Sequence, residues 1–238
     1  MSAVKVALIT GGTKGYNLAL NYSSSSADFE ATKSEVLGTR PDAKVLGIKA
    51  DLSRSSSARE IVEQTVQAFG KIDALILNAG IMTMNPFAQC TEEDVGNHYA
   101  INYKSTFLMT PAAVPHIPQG GSIVFISTSL NTSSMVSESY VLYCPTKGAI
   151  EQLARVVPKT LGGEKHGIRV NTVAPGPTST ELFMKGKPES LVKIIASGSP
   201  FNRLGQPEEI ARVIGFFVGP DSDWVSGQVL RVNGASVL

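Results

Sequence analysis

Short apolar runs alternate along the chain with longer segments whose apolar positions recur every three to four residues. Val4–Ile9, Leu18–Asn21, Val45–Lys49, Ala74–Leu77, Ser122–Ile126, Ile168–Ala174 and Gln228–Val232 are β-rich and bounded by turn residues, which predicts seven strands. Helical periodicity predicts helices over Asp28–Leu37, Ala58–Phe69, Val95–Ile117, Leu142–Leu161, Leu191–Ala196 and Pro207–Phe217. Strand and helix in alternation predict an α/β fold, a doubly wound parallel sheet covered on both faces. Ligands of such sheets bind at the carboxyl ends of the strands.

One interval breaks the alternation. Only eight residues, Thr10 to Asn17, separate the first strand from the second, whereas a parallel crossover needs about a dozen or more. Either these strands are not parallel neighbours, or a segment of about helix length is missing next to Gly15. The second reading is preferred here, with a real deletion as its alternative.

At 238 residues with 42% hydrophobic content, the chain is expected to fold as one domain, 1–238. A net charge of +1 without a basic run offers no footprint for nucleic acid, and no apolar stretch is long enough to span a bilayer. The N-terminus has no signal-peptide pattern, so a cytoplasmic protein is expected. Cys90 and Cys144 form no framework, and His98, His116 and His166 are scattered without ligand spacing, so no metal site is expected.

The strand ends carry the chemistry. Thr10-Gly11-Gly12-Thr13-Lys14-Gly15 follows the first strand, where glycines admit a pyrophosphate close to the backbone. Asn17 stands where a third glycine of the fingerprint is expected. Asp51-Leu52 follows the third strand, Asn78-Ala79-Gly80 the fourth and Pro175-Gly176-Pro177-Thr178-Ser179-Thr180 the sixth. Each alone is ordinary loop chemistry; four such turns on one edge predict a nucleotide site. Beyond Ser127-Thr128-Ser129, Tyr143 and Lys147 stand at i and i+4 of a predicted helix, so they share a face. An ammonium near a phenol stabilises the phenolate, and the pair reads as a tuned acid/base.

Together these motifs, with Val225-Ser226-Gly227-Gln228 leading into Val232-Asn233-Gly234, resemble the short-chain dehydrogenase/reductase family over nearly the whole chain. The resemblance implies a single-domain Rossmann fold with a seven-stranded sheet and an NAD(P)-dependent oxidoreductase, commonly a homotetramer, with a homodimer as the alternative. It implies that Tyr143 protonates the substrate oxygen, and that Lys147 depresses the Tyr143 pKa and binds ribose hydroxyls. Asn102, in the family's place for a water-holding amide, competes with a plain helix-interior amide bonded to backbone. Of the three consecutive hydroxyls, Ser129, fourteen residues before Tyr143, is chosen as the donor to the developing alkoxide. Pro145 inside the Tyr-x-x-x-Lys segment is tolerable in the first turn of a helix.

Cofactor contacts are assigned to Gly11, Thr13, Lys14, Gly15, Asn21, Ser23, Ser24, Asp51, Leu52, Asn78, Ala79, Gly80, Tyr143, Lys147, Pro175, Gly176, Thr178 and Thr180. No acid ends the second strand; Asn21-Tyr22 and a serine run stand there, and Lys14 precedes Gly15, which favours NADPH over NADH. The serine run reads equally as a flexible linker. Residues 178–200 form the expected substrate lid, with Leu182, Phe183 and Met184 as an apolar wall. An aldehyde, a ketone or a 3-oxoacyl group would suit. A non-catalytic nucleotide-binding or redox-sensing protein is the competing reading; a Ser129 hydrolase ranks last, since no Gly-x-Ser-x-Gly elbow surrounds it.

Overall fold

The structure, a computed structural model, describes residues 16–238 and the backbone of Val6–Ile9. The strands are β1 (Val6–Ile9), β2 (Asn17–Tyr22), β3 (Val45–Lys49), β4 (Ala74–Leu77), β5 (Ser122–Ile126), β6 (Arg169–Pro175) and β7 (Val229–Val232). They join in the order β3-β2-β1-β4-β5-β6-β7, and every pairing is parallel. β4 and β5 are buried at every position, which is why they read as unbroken apolar runs rather than as alternating ones. β1 and β2 are parallel neighbours, with Val6 opposite Asn17 and Ile9 opposite Leu20. That pairing removes the first of the two explanations for their short interval.

Two layers of helix flank the sheet. On one face lie α2 (Ser57–Phe69), α4 (Ser105–Ala113) and α5 (Tyr143–Leu161). Their apolar stripes bury Ile61, Met109 and Ile150 against Leu75, Ile123 and Phe125. The other face carries α1 (Ser26–Thr39) and α8 (Pro207–Val218), which close over Leu18, Ile76, Val124 and Val173. Short helices α6 (Glu181–Met184) and α7 (Glu189–Ser197) stand beyond the carboxyl end of β6. Among the described residues, no helix is long and apolar enough to cross a membrane.

The helix expected over Val95–Ile117 is three pieces. It runs from α3 (Glu92–His98) through a π-helical turn at Tyr99–Lys104 into α4, and ends in a 3-10 turn at Val114–His116. A π turn widens the helix by one residue and re-aims the side chains on it. Here it carries Asn102.

Candidate active site

The first turns of α5 bring the acid/base pair to the carboxyl end of β5. Pro145 is the third residue of this helix, where its missing N–H would have had no intrahelical partner. Lys147 is 3% exposed, and its Nζ donates to the Ile126 carbonyl at 2.8 Å. The ammonium lies 5.9 Å from the centre of the Tyr143 ring. Burial pulls the Lys147 pKa down from its ordinary value to about 8.

The Tyr143 phenol moves the opposite way. Burial pushes it well above its ordinary value, the Cys144 thiol adds to the rise, and a hydrogen bond with the Thr128 side chain opposes it. Lys147 is not among the groups that move this pKa; its ammonium donates to the Ile126 carbonyl. The Thr128 bond separates the three hydroxyls. Thr128 contacts the phenol, whereas Ser129, the residue chosen from spacing, opens a buried 3-10 turn at Ser129–Thr132. Ser127 turns away, donating to Glu151 Oε1 at 2.7 Å. Asn131 Nδ2 donates to that same oxygen at 3.0 Å, so Glu151 ties the end of β5 to α5.

Asn102 is a fastener. Its Nδ2 donates to the Ile81 carbonyl at 2.9 Å and to Thr146 Oγ1 at 3.0 Å, while its Oδ1 accepts from the Ile81 N–H at 2.7 Å. Thr146 in turn donates to the Tyr143 carbonyl at 2.8 Å. The turn after β4 is thus bound to the first turn of α5 through one amide that is 1% exposed. Gly80 in that turn is tightly flanked, since an added Cβ would lie 3.1 Å from Asn102 Oδ1 and 3.3 Å from Lys147 Nζ and would press on both.

A cavity of about 1430 Å³ opens over these groups. It brings together Asn78, Gly80, Ser129, Tyr143, Lys147, Pro175, Gly176, Thr178 and Thr180 from the expected set. Gly176 presses against Asn233, where an added Cβ would stand 2.6 Å from the Asn233 Cβ, so the turn after β6 must be glycine. Thr178 donates to the Gly176 carbonyl and Thr180 caps α6, so both hydroxyls are partly engaged in holding that turn. Thr128, weighed among the three hydroxyls but not chosen, Lys187 of the expected lid and Tyr140, which sequence reading did not single out, also line the cavity. Tyr140 stands three residues before Tyr143, a spacing that could have signalled it.

A second cavity of about 430 Å³ adjoins the first at Gly80 and collects Asn21, Ser23, Ser24, Asp51, Leu52 and Ala79. Asn21 is bound to protein, its Nδ2 donating to the Ile48 and Ala50 carbonyls at 3.1 and 3.0 Å. The serine run is a helix start, not a linker: Ser25 caps α1 by accepting from the Asp28 N–H. Asp51 accepts from the Ser53 N–H, which holds its carboxyl below the usual range. Gly11, Thr13, Lys14 and Gly15 lie outside the described residues.

Comparison with known proteins agrees with this geometry. A family model described as enoyl-(acyl carrier protein) reductase, of the short-chain alcohol dehydrogenase type, matches residues 11–235. An Arabidopsis thaliana protein named NADPH-dependent aldehyde reductase-like protein, chloroplastic, is 32% identical over 261 positions covering 99% of this chain and 95% of its own. A hydroxynaphthalene reductase-like protein of Metarhizium anisopliae is 30% identical, covering 99% of this chain and 96% of its own. Among solved structures, a short-chain dehydrogenase/reductase from Serratia marcescens superposes with a TM-score of 0.88 at 29% identity, covering 97% of this chain and 96% of its own. A metagenomic blue fluorescent protein in complex with NADPH superposes with a TM-score of 0.89 at 28% identity, covering 98% of each chain. The chain is an oxidoreductase of the short-chain dehydrogenase/reductase family.

Proposed function

We propose that this enzyme reduces a carbonyl group to an alcohol with NADPH, using Tyr143 as the proton donor. The observation that carries the reading is the Tyr143 phenol at the floor of the large cavity, held protonated by burial. Reduction needs an acid beside the substrate oxygen, and a phenol with a raised pKa keeps its proton across the neutral range. Lys147, with a pKa of about 8, exchanges protons near neutral pH and is placed one helical turn away to restore the charge balance. Thr128 orients the phenol through their hydrogen bond and is the better candidate than Ser129 to donate to the developing alkoxide. Asn102 acts here by positioning the turn after β4 against α5, not by touching substrate.

The dinucleotide fits the edge that these residues form. The bare Gly80 beside Lys147 Nζ leaves the ammonium reachable from the cavity side, and Asn78 and Thr178 add an amide and a hydroxyl to its rim. When bound, the cofactor supplies the hydride. NADPH is favoured by the names of the relatives, an NADPH-dependent reductase and an NADPH complex, and by the absence of an acid at the end of β2. The lid, α6 and α7, gives the cavity Leu182, Phe183, Leu191 and Ile194, and Met82 and Met84 also line it. Such walls suit a bulky apolar ketone or aldehyde.

The test is NADPH-dependent reduction of aromatic and aliphatic ketones by the wild-type chain, Thr128→Val and Ser129→Ala. Loss of turnover in Thr128→Val with Ser129→Ala active supports the assignment. The reverse result returns the role to Ser129. No turnover by any of the three, with NADPH still bound, favours the competing non-catalytic reading.

A further inference from the structure

The chain that leaves the turn after β4 is held at every second residue. Asn102 takes both backbone groups of Ile81, and His98, four residues earlier in the helix, takes Thr83. The Thr83 N–H donates to His98 Nε2 at 3.3 Å, and the Thr83 hydroxyl lies 3.2 Å from the same nitrogen. On its other side the ring meets the Asp94 carbonyl, 2.9 Å from Nδ1. A carbonyl can only accept, so Nδ1 carries the proton and Nε2 is the acceptor. The imidazole is 2% exposed, and both its nitrogens are engaged by backbone.

The spacing of the two fasteners matches the segment they hold. Four residues of α-helix advance about 6 Å, and two residues of extended chain about 6.6 Å. His98 closes α3 and Asn102 lies in the π turn that follows, four apart and so on one face. With Ile81 and Thr83 bound to the helix, the alternate residues Met82 and Met84 are left for the large cavity; both line it, and Ile81 and Thr83 do not. Gly80 stands where an added Cβ would be 3.3 Å from Lys147 Nζ. Met82 is two residues farther, no more than about 7 Å of chain, so it borders the acid/base pair. Met84, 40% exposed, stands nearer the mouth. Met135 lines the same cavity from the loop after β5, so three of the chain's six methionines meet here.

We propose that Met82 and Met84 form the wall that selects bulky, ring-bearing ketones over small ones, and that His98 is the positioning residue that holds this wall through Thr83. His98 does not touch substrate. Its ring fixes the Thr83 backbone, and that backbone sets the direction of the methionines on either side. Methionine is unbranched and polarizable, so the wall moulds itself to the faces and edges of rings without a fixed shape of its own. A small ketone held at Tyr143 does not reach Met84 and gains little from it. This substrate class rests on the carbonyl reduction proposed above.

The experiment measures kcat and KM with NADPH for β-tetralone, a two-ring ketone, and for butanone, in the wild-type chain, His98→Leu, His98→Gln and Met84→Ala. The Gln amide oxygen reaches about as far as Nε2 and accepts from Thr83, whereas leucine cannot. Expected in His98→Leu is a fall of about 10-fold or more in the ratio of kcat/KM for β-tetralone to that for butanone, carried by KM, with most of it recovered in His98→Gln. Met84→Ala should lower the same ratio by about 10-fold with little change in the thermal midpoint, and it decides the matter where His98→Leu fails to fold. A wild-type preference for butanone, equal losses on both ketones, a loss carried by kcat, or an unchanged ratio in Met84→Ala overturns the proposal. Independently of turnover, β-tetralone is titrated into the chain isotope-labelled at its methionine methyls. Shifted Met82 and Met84 methyls support the wall even where neither ketone is reduced, a result that sinks the reduction reading alone. Unmoved Met82 and Met84 methyls overturn the wall.

Discussion

The face of the sheet under α2, α4 and α5 and the face under α1 and α8 are built from similar apolar strands but finished differently. The first buries residues from all three of its helices around Phe125 and Ile123. The second has α8 well seated and α1 without a buried residue. The groups proposed for catalysis belong to the first. α5 carries Tyr143 and Lys147, and the π turn ahead of α4 carries Asn102, so the acid/base pair is anchored to the better packed half. The proposed acid/base pair thus stands on the face where all three helices bury side chains, and α1 of the other face buries none.

The sharpest way to break the comparison is at the acid itself. Tyr143→Phe should lower turnover by about 10²–10⁴-fold with little change in the thermal midpoint, because general acid catalysis is worth that much and the ring stays in place. Steady-state rates beside a melting curve check it, and near-normal turnover refutes the role. Phe125→Ala, in the fully buried core of the finished face, should cost ~3–5 kcal/mol in denaturant unfolding. Gly80→Ala should slow turnover by up to about 10²-fold while the fold survives, since its Cβ would press on Asn102 Oδ1 and Lys147 Nζ together.

Lys147 couples the site to pH. Its folded pKa of about 8 lies below the ordinary 10.5, so between those values the unfolded chain binds more protons than the folded one. Stability should rise with pH across that window, and Lys147→Met should abolish the rise, which is at most on the order of 3 kcal/mol. Turnover should fall over the same range as the ammonium is lost, and a flat pH–rate profile from 7 to 10 speaks against its part in the chemistry. The smallest effect belongs to the thinner face. Val36→Ala in α1, a half-buried side chain packed against the core of this face, should cost about 1 kcal/mol in denaturant unfolding.

Local pattern located most of the frame. The predicted ends of β3, β4 and β5 coincide with the observed ones, because these strands are apolar runs cut off by polar or turn residues on both sides. The split of the Val95–Ile117 helix was not legible. Its π turn is held by bonds from Asn102 to Ile81, 21 residues away, and to Thr146, 44 residues away. Likewise spacing to Tyr143 picked Ser129, which lines the cavity, but could not show that the Thr128 side chain also bonds the phenol. Asn21, expected as a cofactor contact, lines the second cavity, but that its Nδ2 is held by the Ile48 and Ala50 carbonyls of the adjacent strand end was not legible.

By itself the sequence determined the alternation of strand and helix, the edge on which Gly80, Tyr143, Lys147 and Gly176 gather, and the shortness of the interval after β1. Those follow from periodicity and spacing, which act within a few residues of the chain. Tertiary structure alone decided that Lys147 is held near pKa 8 while the phenol rises, and that Asn102 ties the turn after β4 to the first turn of α5. Burial and long-range hydrogen bonds set those outcomes, and both depend on which distant segments the fold packs together.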